Sequence, residues 1–104
     1  MNTQNVVEQV QFRIKDEVLE SDLIASSDMV NQWVRQQPGF MYRSLTKSTN
    51  GLWTDIVYWQ DMECAKTAGD AFASAPENQS IMAAVIEDSV TIQHFDIVSQ
   101  IGSD

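Results

Sequence analysis

The stretch Gln37-Pro38-Gly39-Phe40-Met41-Tyr42-Arg43-Ser44-Leu45-Thr46-Lys47-Ser48-Thr49-Asn50-Gly51-Leu52-Trp53-Thr54-Asp55-Ile56-Val57-Tyr58-Trp59 decides the fold. Proline lacks an amide and disfavours a helical residue before it, and glycine accepts a turn, so Gln37-Pro38-Gly39 ends any helix upstream. Phe40, Tyr42, Ser44 and Thr46 then alternate with Met41, Arg43, Leu45 and Lys47, which is the period of a strand. Ser48-Thr49-Asn50-Gly51 supplies a hairpin turn, and Leu52 to Trp59 returns as a partner strand rich in aromatic and β-branched residues.

Upstream, Val6, Val10, Phe12 and Ile14 alternate with Gln9, Gln11 and Arg13, so 6–14 reads as a half-buried first strand. Asp16, Glu17, Glu20, Ser21 and Asp22 gather where a helix opens and its free amides favour carboxylates and hydroxyls. Leu19, Leu23, Val30, Trp33 and Val34 share one helical face, with Met29 beside it. Ser26 and Ser27 interrupt that face, so the helix is expected to bend there or to begin only after Ser21.

Downstream, Asp61 is an N-cap for a second helix whose Met62, Ala65, Gly69 and Phe72 recur on one face beside Ala68 and Ala73. That helix is expected to end near Ala75-Pro76, with Pro76 opening a short further turn through Ile81 and Met82. Ser89 to Val98 reads as the last strand, followed by a polar tail to Asp104. The chain thus reads as one α+β domain, 1–104 with an ordered core of about 6–98, in the order β-α-β-β-α-β.

Fifteen acidic against six basic residues give a formal charge of −9, a field that repels phosphates and anionic headgroups. No nucleic acid and no membrane are expected as partners. The N-terminus, Met1 to Asn5, shows no basic region followed by an apolar run, so the expected location is cytoplasmic. One cysteine and one histidine leave no cluster with metal-site spacing, so no metal is expected. Cys64 follows the Asp61 cap by three positions, where helix amides favour a thiolate and the Asp61 and Glu63 carboxylates oppose it; it reads as a half-buried structural thiol.

Two helices cover one face of a four-stranded sheet, yet the third strand is apolar on both sides: Trp53, Val57 and Trp59 on one, Leu52, Ile56 and Tyr58 on the other. The uncovered face is therefore expected to pack on a second copy with two-fold symmetry, giving a homodimer.

Gln37-Pro38-Gly39-Phe40, the Asn50-Gly51 turn, Asp55-Ile56-Val57-Tyr58-Trp59 and the alanine-rich helix after it together resemble the antibiotic biosynthesis monooxygenase (ABM) domain. The likeness runs from the first strand to His94-Phe95. It implies a ferredoxin-like unit, with a four-stranded antiparallel sheet, that pairs into a dimeric α+β barrel. It also implies a cofactor-independent monooxygenase acting on a small aromatic or quinonoid compound. Haem-degrading relatives use a first-strand asparagine, a tryptophan and a helix histidine. Here Trp59 matches the tryptophan, but the first strand offers Gln9 and Gln11 and the second helix has no histidine.

Within that frame His94 is the candidate general base, because it alone has an ordinary pKa near neutrality; the alternative is a structural histidine of the last strand. Trp59 is the second candidate, closing the third strand where an indole can line a cavity. Phe12, Trp33, Tyr42 and Phe72 are candidate aromatic walls for a small aromatic ligand, and each is equally at home in a core. Arg43 and Lys47 read as ion-pair partners or as an anion site. Three functions remain open: an oxygenase, a dimeric module that binds a small apolar ligand without chemistry, or an interaction protein with a filled core. A cavity touching both Trp59 and His94 favours the first, a cavity without His94 the second, and no cavity the third.

Overall fold

The computed structural model describes residues 4–102; residues 1–3 and 103–104, with them the extreme N-terminal stretch and the end of the polar tail, lie outside the described residues. The elements are β1 (Val6–Phe12), α1 (Glu20–Val34), β2 (Phe40–Lys47), β3 (Trp53–Trp59), α2 (Met62–Phe72), α3 (Gln79–Ala84) and β4 (Thr91–Asp96). Short 3-10 turns at Pro76–Asn78 and Glu87–Ser89 flank α3. The sheet runs β2-β3-β1-β4 with every neighbouring pair antiparallel, which is the ferredoxin-like α+β order. Among the described residues, no helix is long and apolar enough to cross a membrane.

The hairpin forms as its residues dictate. Ser48 N–H donates to the Leu52 carbonyl at 2.8 Å and Gly51 N–H to the Ser48 carbonyl at 3.1 Å, with Gly51 at φ +86°. A three-residue connection with glycine in the left-handed position thus closes the two strands. At the other end Gly39 (φ +81°) packs so tightly on α2 that a Cβ there would lie 2.5 Å from Cys64 Sγ and 2.7 Å from its Cβ. A register shift falls between Phe40 and Tyr42, leaving Met41 as the extra residue of a bulge. Strict alternation would place Phe40 with Tyr42. The bulge instead puts Phe40 opposite Trp59 on the helix side, ring centroids 6.0 Å apart, and sends Tyr42 to the other face.

Several details depart from the sequence expectations. β1 stops at Phe12, and Ile14 makes a separate bridge to Val85. α1 runs unbroken from Glu20 because Ser26 and Ser27, although polar, are buried with partners: Ser26 Oγ lies 2.6 Å from Ser80 Oγ, and Ser27 receives Arg43. Leu19 is exposed, since it is the extended residue before the helix and not part of its buried face. α2 ends at Phe72, where single-turn bonds from Ser74 to Ala71 and from Ala75 to Phe72 tighten the chain toward Pro76. The Asp61 cap forms as expected, accepting from Cys64 N–H at 2.8 Å. That bond holds the Asp61 carboxyl below its ordinary pKa, and the same carboxylate pushes the Cys64 thiol up, keeping it protonated.

The core lies between the sheet and the helices in two clusters. One joins Val6, Val34, Val57, Trp59, Ala65 and Ala68; the other joins Phe12, Leu23, Val30, Trp53, Ile81 and Ala84.

Candidate functional site

Residues of both clusters line a cavity of about 670 Å³, within the usual range of about 300–1,000 Å³ for small-molecule sites. Phe12, Val30 and Ile81 from one cluster and Val34, Val57, Trp59 and Ala68 from the other are its walls. Trp33 and Phe72 add an edge-to-face aromatic pair with centroids 5.7 Å apart. Val10, Lys15, Met82, Val85, Glu87, Val90 and Ile92 add to the lining, with Met82, Val90 and Ile92 exposed. Gly69 of α2 also belongs to the wall, beside Ala68.

Three charged residues enter the cavity from the sheet: Glu8, Arg43 and Asp55. Each sits on the apolar phase of its strand. Arg43 Nε donates to Asp55 Oδ1 and Oδ2 at 3.0 and 3.2 Å, and Nη2 to Oδ2 at 2.7 Å. Its Nη1 reaches Ser27 Oγ at 2.9 Å, the Ser27 carbonyl at 3.2 Å and Asn31 Oδ1 at 2.7 Å on α1. The guanidinium side chain is 3% exposed, so this fork ties the sheet to α1 while cancelling the Asp55 charge. Glu8 is held differently. Its Oε1 accepts from Trp59 Nε1 at 3.1 Å, a pair set by neighbouring strands.

His94 stands directly across from Glu8 on β4. Its Nε2 lies 3.4 Å from Glu8 Oε2 but is not aligned for a hydrogen bond, and that buried nitrogen has no other partner. His94 is not part of the cavity wall, whereas its cross-strand neighbour Glu8 is. The structure therefore gathers Phe12, Trp33, Trp59 and Phe72 around one cavity and leaves His94 out of its lining. Tyr42 is elsewhere. The bulge turns it to the opposite face of the sheet, where it is exposed and stacks edge-on with Tyr58 at 5.8 Å, so the assignment of Tyr42 to the ligand wall is corrected.

Sequence reasoning missed Glu8 and Asp55. The signal was present, since Glu8 shares the phase of Val6, Val10 and Phe12, and Asp55 that of Trp53, Val57 and Trp59. A carboxylate on the buried phase of a strand needs a partner or a function. Among the described residues, no three His, Cys, Asp or Glu side chains are grouped to hold a metal ion.

No family model matches the sequence, and no curated protein matches it. Solved structures do. SnoaB, a cofactor-independent oxygenase from Streptomyces nogalater, has a TM-score of 0.77 at 14% identity, covering 97% of this chain and all of that one. The heme-degrading protein Rv3592 from Mycobacterium tuberculosis has a TM-score of 0.69 at 17% identity, covering 98% of this chain and all of that one. A dimeric ferredoxin-like protein of unknown function from Jannaschia sp. CCS1 has a TM-score of 0.68 at 11% identity, covering 89% and 99%. The chain thus has the ABM-like, ferredoxin-like α+β fold. At these identities the likeness establishes the fold alone, and two different chemistries on it mean that function must be argued from the site.

Proposed function

We propose that the protein is a cofactor-independent monooxygenase-like enzyme that takes a small aromatic or quinonoid compound into the cavity. Glu8 is its base. The observation that carries this reading is a carboxylate lining an aromatic-walled cavity with Oε1 held by Trp59 and Oε2 directed to the His94 side, while the other sheet carboxylate, Asp55, is neutralised by Arg43. Glu8 removes a proton from the acidic ring CH₂ or hydroxyl of the substrate, leaving an electron-rich carbanion or phenolate. Dioxygen adds to that carbon, and loss of water leaves a carbonyl; one oxygen enters the product, the other leaves as water, and the substrate supplies the electrons. His94 acts through Glu8 as a positioning residue, its Nε2 packed 3.4 Å from Glu8 Oε2 on the neighbouring strand.

The test is oxygen uptake with a panel of anthrones and hydroquinones. Glu8→Gln is expected to lower the rate by roughly 10²-fold or more, the usual contribution of a general base. His94→Ala is expected to lower it less and to shift its pH profile. Equal rates in the parent and Glu8→Gln would sink the mechanism.

A second reading, a binding module without chemistry, is favoured by His94 standing outside the cavity wall and by Arg43 and Asp55 already satisfying each other. Tight ligand binding with no oxygen uptake across the panel would select it.

We further infer a single cytoplasmic domain that works as a homodimer through the open face of its sheet. The strand residues of that face are uncharged in a protein of net charge −9, and the row Tyr42, Tyr58, Val7 and Phe95 crosses all four strands at one end. A monomer at micromolar concentration by sedimentation or light scattering would contradict this.

A further inference from the structure

Arg43 belongs to the cavity wall and its side chain is 3% exposed, so each of its donors needs a partner or a use. A guanidinium carries five N–H groups in one plane. The Nε hydrogen is shared between the two Asp55 oxygens, and one Nη2 hydrogen goes to Asp55 Oδ2 at 2.7 Å. The two Nη1 hydrogens are taken by Ser27 and Asn31 of α1. Among the described residues, the second Nη2 hydrogen has no acceptor. In a side-on fork that hydrogen lies on the adjoining edge of the plane, turned away from the carboxylate.

Glu8 occupies the matching place across the sheet. Arg43 on β2 and Glu8 on β1 are both paired to Val57 of β3, and all three residues line the cavity. Neighbouring strands lie about 4.8 Å apart, so the two charged residues leave the sheet about 10 Å from each other with apolar Val57 between them. A ligand lying over Val57 meets a carboxylate at one end and an unused donor at the other.

We propose that Arg43 orients and selects the ligand: its free Nη2 hydrogen is donated to a ring carbonyl oxygen, which turns the opposite, CH₂-bearing end of the ring toward Glu8. The fork with Asp55 cancels the net charge and leaves this N–H as the positive end of a fixed dipole. That dipole gains strength of interaction when loss of the CH₂ proton moves charge through the ring onto the oxygen. The assignment rests on the reading of Glu8 as base, and deepens it by requiring a carbonyl across the ring from the acidic carbon.

The experiment measures dissociation constants in the absence of oxygen, by quenching of tryptophan fluorescence, for anthrone and for 9,10-dihydroanthracene, which has the same three-ring skeleton and no oxygen. Apolar transfer by itself favours dihydroanthracene. The parent is nevertheless expected to bind anthrone roughly tenfold or more tightly, the discrimination of one hydrogen bond from a charged donor. Arg43→Met combined with Asp55→Leu is expected to abolish that preference while still binding dihydroanthracene, which shows that the cavity persists. Arg43→Gln combined with Asp55→Asn stands if the apolar pair does not fold; its uncharged donor is expected to leave a smaller preference. A parent without preference for anthrone, or folded variants that keep the full preference, would overturn the assignment and leave the cavity reading intact. A parent that binds neither probe would overturn both.

Discussion

The two faces of the sheet solve opposite problems with the same four strands. Toward the helices, consecutive rows read Phe40-Trp59-Val6-Asp96, Arg43-Val57-Glu8-His94 and Leu45-Asp55-Val10-Ile92. Charge enters the interior here, and Arg43, Asp55 and Glu8 each have a directed partner. Away from the helices the rows read Tyr42-Tyr58-Val7-Phe95, Ser44-Ile56-Gln9-Gln93 and Thr46-Thr54-Gln11-Thr91, with no charge at all. Gln9 to Gln93 at 3.4 Å and Gln11 to Thr54 at 3.2 Å satisfy amides across strands. A catalytic or binding face needs a few fixed charges in a dry setting, because fields are strong where water is excluded. The open face, the proposed meeting place of a second copy, carries no charged strand residue that pairing would have to desolvate.

The sharpest way to break this contrast is to strip one partner from the buried fork. Asp55→Ala leaves the Arg43 guanidinium uncompensated and is expected to cost about 3–5 kcal/mol in urea unfolding, whereas Arg43→Met combined with Asp55→Leu should recover most of that loss. Gly39→Ala attacks the bulge that parts Phe40 from Tyr42: a left-handed φ and the clash with Cys64 together are expected to cost about 2–4 kcal/mol. If the open face is the proposed dimer interface, Tyr58→Glu should leave the fold of each subunit intact and shift sedimentation from dimer to monomer; a variant that stays dimeric would place the interface elsewhere. Trp59→Phe removes the bond to Glu8 and also shrinks a fully buried indole to a phenyl, so about 2 kcal/mol of stability is expected to be lost.

The smallest effect concerns the hinge between β3 and α2. The Cys64 amide lowers the folded-state pKa of Asp61 below the ordinary carboxylate value, so the stability the cap contributes is present above that ordinary value and is lost as pH falls through the folded pKa. Asp61→Asn, which still caps but does not titrate, should flatten that part of the acid limb in denaturation curves taken between pH 5 and pH 2.

How far the chain announces these features differs by element. The hairpin, the first and last strands and the Asp61 cap follow from local chemistry, because alternation, turn glycines and capping carboxylates act within a few residues. The continuity of α1 does not, since Ser26 and Ser27 look like interruptions until Ser80 and Arg43 arrive from elsewhere to satisfy them. Trp59, Trp33, Phe12 and Phe72 are visible in the sequence as large aromatics, but their shared role in one wall depends on how three elements cross. Tyr42 was misplaced by one inserted residue, because alternation is counted along the chain and a bulge resets the count.

The sequence by itself therefore determined the element order and the antiparallel hairpin, both of them consequences of residue periodicity and backbone preference. Tertiary structure alone decided that Glu8, and not His94, faces the cavity, that Asp55 is neutralised by Arg43, and that the core divides around an open space. Those outcomes depend on cross-strand register and on which side chains fail to fill the gap between helix and sheet, distances that no local pattern encodes.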